Sequence, residues 1–339
     1  MTVTILDDAT AWNAYVGGHP DSTGYHQWAW RDVFADAFGH ASLYLAAGDG
    51  AQITGVLPLV EFRSRLFGTF AVSLPFVNYG GIVADDEGAA VALSARAESL
   101  ARERAWRHVE LRHVQRRFAH CPVKRHKVAM WLSLAATPEM LWSALDRKVR
   151  NQVRKAEKSG CTAVDGGAEL LDDFYRVFAH NMRDLGTPVY ARRFFAEVLR
   201  AFPADTRVFV VRVGTEAVAA SITVGWRDRI EVPWASSLRA HASSSPNTLL
   251  YWTMLKWAVE RGYKTFDFGR STPDEGTFHF KKQWGAQPHE LAWEYLGLTG
   301  AVPDQSPKNP KFRAAIAVWQ RLPVPVATAL GPAIVRNIP

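Results

Sequence analysis

A repeated pattern constrains this chain more than any single motif does. Residues 100–111, LARERAWRHVEL, and residues 257–268, WAVERGYKTFDF, align at a constant offset, and each has the pattern of a helix end, a turn and a strand. Self-similarity of this kind is the signature of a duplicated structural unit. The 339 residues are also enough for two domains that each bury a hydrophobic core. We therefore expect two similar domains in tandem.

The order of the predicted elements indicates the fold of each domain. Alternation in residues 207–213, 217–225 and 229–235 predicts an antiparallel run of strands, which is followed by a helix that begins at Ser245 and Pro246 and ends at Gly262. This order predicts an α/β (α+β) class, with mixed sheets flanked by helices, as in the GNAT (acyl-CoA N-acyltransferase) fold. We expect domains at 1–136 and 137–300 and a separate tail at 301–339.

The charge of the chain is positive and unevenly placed. The formal net charge is +7, and lysines and arginines cluster at residues 102–127 and 147–158. This clustering fits a polyanionic or phosphate-bearing partner, and the alternative is two solvated helix faces.

The two cysteines and the N-terminal sequence indicate the cellular compartment of the protein. Cys121 and Cys161 lack metal-ligand spacing, which fits a reducing compartment and predicts neither a disulfide framework nor a metal site. The N-terminus MTVTILDDATAW is unlike a signal peptide, and no apolar run has the length of a membrane span. We expect a cytoplasmic protein.

Residues 266–285, FDFGRSTPDEGTFHFKKQWG, combine a strand, a polar loop and a short helix that ends at Gly285. Within that helix Phe280 and Trp284 share a face, and Lys281 and Lys282 lie beside them. Loops at strand ends are where functional sites are commonly built. This stretch is therefore the candidate functional site of the protein.

The motif D-F-G-R-S, a gap and F-K-K-x-W-G resembles the second domain of FemAB-type peptidoglycan-bridge aminoacyltransferases. Residues 145–160, LDRKVRNQVRKAEKSG, are similar to the basic helix of that family, and the similarity extends over nearly the whole chain, closest to the subfamily associated with exosortase (PEP-CTERM) and exopolysaccharide loci. The resemblance implies a tandem GNAT fold. It also implies transfer of an aminoacyl or acyl group to an amine of a cell-envelope or exopolysaccharide precursor.

The resemblance assigns roles to residues of the second domain. Lys281 matches the lysine that contacts the carbonyl or phosphates of an aminoacyl donor, and the alternative is a solvated surface lysine. Arg270 could bind phosphate or pair with a nearby carboxylate. Candidate bases are Glu231 and Asp267, although Asp267 is equally explained as a structural turn acceptor. Phe280 and Trp284 are expected at the substrate.

A second group of residues is predicted to bind the acceptor or donor. Arg150, Asn151 and Arg154 lie close to one face of the basic helix and suit a phosphate-rich ligand, with a solvated helix as the alternative. Asn78 and Tyr79 stand where the family has an aromatic-proline-arginine-glycine segment that holds the acceptor. Because the arginine is missing here, only the position of the pocket is carried over.

The donor is expected to differ from free acetyl-CoA. No Gly-x-Gly run lies between the strand that ends near residue 235 and the helix at 246. In ordinary acetyl-CoA-dependent members of the fold, the backbone of such a glycine-rich loop holds the pyrophosphate. We expect charged tRNA or another acyl donor and no bound cofactor. The alternatives are a CoA- or acyl-carrier-dependent acyltransferase and a non-catalytic module that binds RNA or a lipid-linked sugar phosphate.

The tail is predicted to pack back on the first domain. Its apolar, proline-interrupted sequence leaves a second possibility, which is peripheral contact with the inner face of the cytoplasmic membrane.

Overall fold

A computed structural model of the chain describes residues 1–50, 52–64, 67–297 and 310–338. Of these, residues 1–126, 290–297 and 333–338 form a first unit, and residues 127–289 and 310–332 form a second. Each unit has its own sheet.

The first part of the chain alternates strands with three helices. In order these are β1 (Thr2–Ile5), α1 (Ala9–Gly18), α2 (Trp30–Phe38), β2 (Ser42–Gly48), β3 (Ile53–Ser64), β4 (Gly68–Val72), β5 (Val83–Ala84), α3 (Glu87–Glu103), β6 (Val109–His113) and β7 (Val123–Lys124).

The second part begins with β8 (Val128–Ser133), α4 (Pro138–Ala144), α5 (Arg147–Lys158), β9 (Cys161–Gly166), α6 (Leu171–Leu185) and α7 (Arg192–Ala201). It continues with β10 (Thr206–Val213), β11 (Glu216–Trp226), β12 (Arg229–Ser237), α8 (Pro246–Glu260), β13 (Thr265–Ser271), α9 (Gly276–Lys282) and β14 (Gln287–Glu290). The last elements are β15 (Ala292–Leu296), α10 (Pro310–Trp319) and α11 (Val324–Val335).

The sheet of the first unit has the order β1-β2-β3-β4-β6-β15-β7, and β5 pairs with β3. Helix α3 covers one face because its small and apolar residues recur at helical spacing, and Ala89, Leu93 and Ala97 are all buried. The carboxylate of Asp86 accepts a hydrogen bond from the backbone N–H of Ala89 and so fixes where α3 begins.

The sheet of the second unit has the order β14-β8-β13-β12-β11-β10-β9. Helices α5 and α8 pack on one face, where Val149 and Val153 of α5 and Met254 and Leu255 of α8 join the core. Helix α6 packs against β10, β11 and β12.

In each sheet, two neighbouring strands that are joined by a helix run parallel. Strand β4 runs parallel to β6, and β12 runs parallel to β13. The paired residues of β12 and β13 are the first three of each strand, from Arg229 opposite Thr265 to Glu231 opposite Asp267. Further along, β12 has two residues, Val232 and Pro233, opposite one residue of β11, which is a β-bulge. In open α/β sheets ligands bind outside the carboxyl ends of parallel strands.

These two mixed sheets with flanking helices confirm the predicted fold class. The predicted division into domains at 1–136 and 137–300 differs from the structure at two strands, one from each predicted domain. Strand β8 belongs to the second sheet, where it pairs with β13, and β15 belongs to the first sheet, where it pairs with β6. The prediction grouped neighbours in sequence, whereas the register of a strand depends on a partner far along the chain.

The tail also differs from the expectation that it packs on the first domain. Residues 310–332 belong to the second unit, and only the last residues, 333–338, belong to the first. Residues 301–309 of the predicted tail lie outside the described residues. Across the described ranges, no helix has both the length and the apolar composition needed to cross a membrane.

Candidate active site at the end of β13

The centre of the candidate site is Lys281, whose side chain is only 7% exposed. Its Nζ donates hydrogen bonds to the carbonyl oxygens of Gly269 at 3.1 Å and Arg270 at 2.8 Å. The lysine of α9 is therefore fixed against the end of β13. The structure does not support the alternative of a solvated surface lysine at this position.

Aromatic packing explains why Lys281 is held there. Phe278 and Trp284 are buried in the core of the second unit. Phe280 and Trp284 pack near the ring of Tyr251 on α8, with centroid distances of 5.0 Å and 6.3 Å. These contacts orient α9 and place both predicted aromatic residues in core packing, whereas Lys282 is exposed.

Burial lowers the pKa of Lys281 from 10.5 to about 8. The negative charges of Asp267 and Glu231 act in the opposite direction, and the positive charges of Arg270 and Lys127 add to the lowering. Near neutral pH the amine of Lys281 therefore gains or loses a proton easily. Groups with a pKa near the working pH are the usual participants in proton transfer.

The two candidate carboxylates are brought together by the register of β12 and β13. Glu231 lies opposite Asp267, so both side chains are on the same face of the sheet, and both are buried. The carboxylate of Asp267 accepts from the N–H of Gly269 at 2.8 Å and from Nε1 of Trp131 at 2.8 Å. Each oxygen of Asp267 thus has a structural donor, which supports the interpretation as a turn acceptor.

An aromatic stack beside this pair was not predicted from the sequence. The guanidinium of Arg229 lies 3.9 Å from the ring centroid of Trp131, and the imidazole of His289 stacks on the same indole at 4.0 Å. Burial and the charge of Arg229 lower the pKa of His289. The stack holds the Trp131 indole whose Nε1 binds Asp267. The residues come from β8, β12 and β14, so only the strand order could have revealed it.

The rim of the site is basic and contains one unsatisfied hydroxyl. Arg270 is partly exposed, and Nζ of Lys127 donates to Oγ1 of Thr272 at 2.5 Å. The buried Oγ of Ser271 has no hydrogen-bond partner among the described residues. A buried polar atom without a partner is costly unless a ligand or water satisfies it.

The predicted phosphate-binding residues lie on α5. Asn151 and Arg154 are exposed and Arg150 is half-buried, while the opposite side of the helix packs on α8. The guanidinium of Arg154 lies 5.5 Å from the ring centroid of Trp142. Helix α5 is therefore a basic surface that leads into the edge strand β9.

The predicted acceptor residues belong to the first unit, where Asn78 and Tyr79 are buried. They lie between β4 and β5 in a segment whose backbone is held by side chains: Arg112 donates to the carbonyl of Val77 at 2.8 Å, and a ring nitrogen of His26 lies 2.9 Å from the carbonyl oxygen of Gly81. As the protein stands, both residues are interior rather than surface groups.

Within residues 1–50, 52–64, 67–297 and 310–338, no three His, Cys, Asp or Glu side chains are grouped so that they could hold a metal ion.

Known proteins resemble this chain in sequence over one domain and in structure over most of its length. Residues 143–282 match the family described as "Acetyltransferase (GNAT) domain". The crystal structure of FemX is similar over 93% of this chain and 100% of its own length, with a TM-score of 0.68 at 16% identity. The chain has a FemAB-like tandem GNAT fold. A tandem GNAT protein from the clavulanic acid biosynthesis pathway also has a similar structure, with a TM-score of 0.51 at 12% identity over 89% of this chain and all of that one.

Another protein with a similar fold is L-PGS from Bacillus licheniformis, with a TM-score of 0.56 at 10% identity, over 93% of this chain and 96% of that one. No curated protein matches the sequence. At these identities the likeness shows the tandem GNAT fold, and the Lys281 site supplies the chemical argument.

Proposed function

We propose that the chain is an N-acyltransferase that moves an aminoacyl or acyl group onto an amine of a cell-envelope or exopolysaccharide precursor. The observation that carries this proposal is the buried amine of Lys281, held by two backbone carbonyls beside Glu231 and Asp267. Membership of the subfamily associated with exosortase (PEP-CTERM) loci stays a prediction from the sequence.

The geometry of Lys281 suits the developing charge of acyl transfer. An ammonium group has three N–H donors, and the carbonyls of Gly269 and Arg270 take two of them. The third is available for the oxygen of an acyl carbonyl, which becomes negative when an amine adds to the carbon. A donor placed in advance at that oxygen stabilises the transition state.

Glu231 is the proposed base. It accepts a proton from the acceptor ammonium, and the neutral amine then attacks the acyl carbonyl. The amide bond forms as the bond to the leaving oxygen or sulfur breaks, and the proton that the attacking nitrogen loses in this step passes to the leaving atom. Asp267, whose oxygens accept hydrogen bonds from Gly269 and Trp131, is assigned to hold the turn.

The start of α8 supports a donor other than free acetyl-CoA. Pro246 is the first helical residue and has no N–H, and the N–H groups of Thr248 and Leu249 bind the carbonyl of Ser245. A pyrophosphate nest needs several free N–H groups at a helix N-terminus. We propose aminoacyl-tRNA as the donor class, with α5 as the surface for its phosphates.

Discharge of a charged donor to hydroxylamine, a small surrogate amine acceptor, tests the function. Full-length protein is incubated with aminoacyl-tRNA or with acetyl-CoA, and hydroxamate is measured above the rate without protein. We expect hydroxamate from aminoacyl-tRNA and little from acetyl-CoA.

Equal or faster discharge of acetyl-CoA would overturn the donor assignment while keeping the acyltransferase. Discharge of neither donor, with tRNA still raising the melting temperature, would favour a binding module.

A further inference from the structure

Helix α11 is apolar on every side, yet half of it faces solvent. Its sequence, VPVATALGPAIV, has no charged residue and one hydroxyl. Ala327 is buried on one side of the helix, whereas Val326 and Leu330 on the other are 41% and 50% exposed. A helix that is hydrophobic all round is normally buried. The outward side of α11 is therefore suited to a partner.

Contacts on the buried side fix which way α11 faces. A Cβ on Gly331 would lie 2.8 Å from the backbone nitrogen of Val189, so the helix is in close contact with the connection between α6 and α7. Just before α11, the guanidinium of Arg183 donates to the carbonyl of Leu322 at 2.9 Å. The apolar residues that remain exposed cannot turn inward without breaking these contacts.

Helix α10 adds a second exposed strip. Arg313, Ala314, Ala317, Val318 and Arg321 are exposed and follow one another at helical spacing on one side, and Val318 is 60% exposed. The other side meets the end of α6, where the amide of Gln320 donates to the carbonyl of Asp184 at 3.2 Å. The exposed side of α10 thus mixes small apolar residues with arginines.

The charges of the tail select among partners. Residues 310–338 contain four cationic residues and no aspartate or glutamate; the cations are Lys311, Arg313, Arg321 and Arg336. A second copy of the chain docked symmetrically would place the same cations against each other. A partner must therefore offer both apolar contact and negative charge.

We propose that the outward side of α10 and α11, which we term the tail face (Arg313, Val318, Arg321, Val326 and Leu330), docks on the surface of an anionic lipid bilayer. The 12 residues of α11 span about 18 Å, which is less than the roughly 30 Å of a hydrocarbon core. The helix therefore lies in the plane of the interface. Its apolar side chains enter the acyl region while the arginines meet lipid phosphates.

Vesicle flotation of the full chain tests this assignment. The probes are vesicles of phosphatidylcholine alone and of equal parts phosphatidylcholine and phosphatidylglycerol. We expect flotation with the anionic vesicles only, and loss of it as salt is raised from about 0.1 M to about 1 M, because the Debye length falls.

The variant Val326→Asp with Leu330→Asp should weaken anionic-vesicle binding by about 10-fold or more, since it puts charge on the inserting side. Val91→Asp with Met140→Asp is the matched control, because it adds the same two charges at residues that are 51% and 58% exposed on α3 and α4. Both variants are first checked for an unchanged melting temperature, and wild-type flotation tests the proposal if either fails that check.

The proposal is overturned if the wild-type chain does not float with phosphatidylglycerol vesicles, or if the Val326→Asp with Leu330→Asp double variant floats as well as the control variant. It is also overturned if sedimentation shows a dimer that the double variant loses while vesicle binding is absent, because the tail face would then belong to a second copy.

Discussion

The Nζ atom of Lys281 lies 2.8 Å from the carbonyl oxygen of Arg270, so the lysine is tied to the strand that precedes its own helix. This contact closes the turn between β13 and α9 and removes the amine from solvent. Because the position is fixed before any substrate binds, the remaining N–H can act on a reacting carbonyl without reorganisation.

The first prediction concerns turnover. Lys281→Met should lower kcat by about 10²- to 10³-fold with little change in KM, since a donor to the oxyanion acts mainly in the transition state. Steady-state kinetics with the donor identified by hydroxamate formation measure both constants. Lys282→Met is the control because Lys282 is exposed, and it should keep wild-type kcat.

If Lys281 instead holds donor phosphates, KM for the donor would rise in Lys281→Met while kcat stayed the same. Small and equal effects at the two lysines would remove the catalytic assignment.

The second prediction concerns stability against pH. The pKa of Lys281 is about 8 in the folded protein and 10.5 as its ordinary value. Between these values the unfolded chain holds a proton that the folded chain has lost, so the free energy of unfolding rises with pH, by up to about 1.4 kcal/mol per pH unit. This gain in the free energy of unfolding is complete above pH 10.5, the ordinary pKa of lysine, and absent below pH 8.

Urea unfolding of wild type and Lys281→Met from pH 7 to about 10.5 measures this effect as a difference, which cancels groups common to both. Wild type should gain up to about 3 kcal/mol relative to the variant over this range. Parallel curves for the two proteins would mean that Lys281 has an ordinary pKa.

The sequence located the centre of this site but not its surroundings. Lys281 and α9 were predicted from local pattern and motif, because helix spacing and a terminal glycine are short-range signals. Trp131 was missed because its role depends on β8 pairing with β13, more than a hundred residues later. The pairing of Glu231 with Asp267 likewise depends on a parallel register that no local pattern encodes.

Burial was also beyond the local pattern. Phe280 and Trp284 were expected at a substrate because they share a helix face within the family motif, but Tyr251 on α8 packs near both. A contact of this kind depends on how two helices and a sheet assemble, and the amphipathic pattern alone does not identify the partner.

The third prediction concerns the basic surface of α5. Arg150→Ala with Arg154→Ala should weaken tRNA binding and make the plot of log K against log salt less steep by one to two units, because each lost phosphate contact releases about one counterion fewer. Fluorescence anisotropy with labelled tRNA over a salt series measures the slope. Arg193→Ala with Arg200→Ala is the control, since these exposed arginines lie on α7.

An unchanged slope in the α5 variant would mean that these two arginines face solvent and do not contact tRNA phosphates. An equal loss in both double variants would indicate that tRNA senses only the net charge of the protein.

The last prediction concerns the buried cation of the first unit. Nε of Arg112 donates to Glu110 at 2.8 Å, and the guanidinium lies 4.3 Å from the ring centroid of Trp293 while also binding the carbonyl of Val77. The pKa of Glu110 is lowered by the charge of Arg112 against the opposing effect of burial. Arg112→Met keeps most of the volume but removes the charged partner of a buried carboxylate, which keeps the neutral hydroxyl donor of Tyr295, and also removes a donor from the carbonyl of Val77; it should destabilise the protein by about 3 to 5 kcal/mol.

Arg63→Met is the matched control, because Arg63 also pairs with a glutamate, Glu61, but its side chain is 78% exposed. Glu61 is buried but keeps a second partner, Arg104, so loss of the exposed Arg63 side chain should cost only about 0 to 1 kcal/mol, and the two substitutions should differ several-fold in urea unfolding. The loss in Arg112→Met should shrink at acid pH, where Glu110 is protonated in the variant and no longer carries an uncompensated charge. Equal small losses for both variants would show that solvent reaches Glu110 and that the ion pair does not hold the segment around Val77.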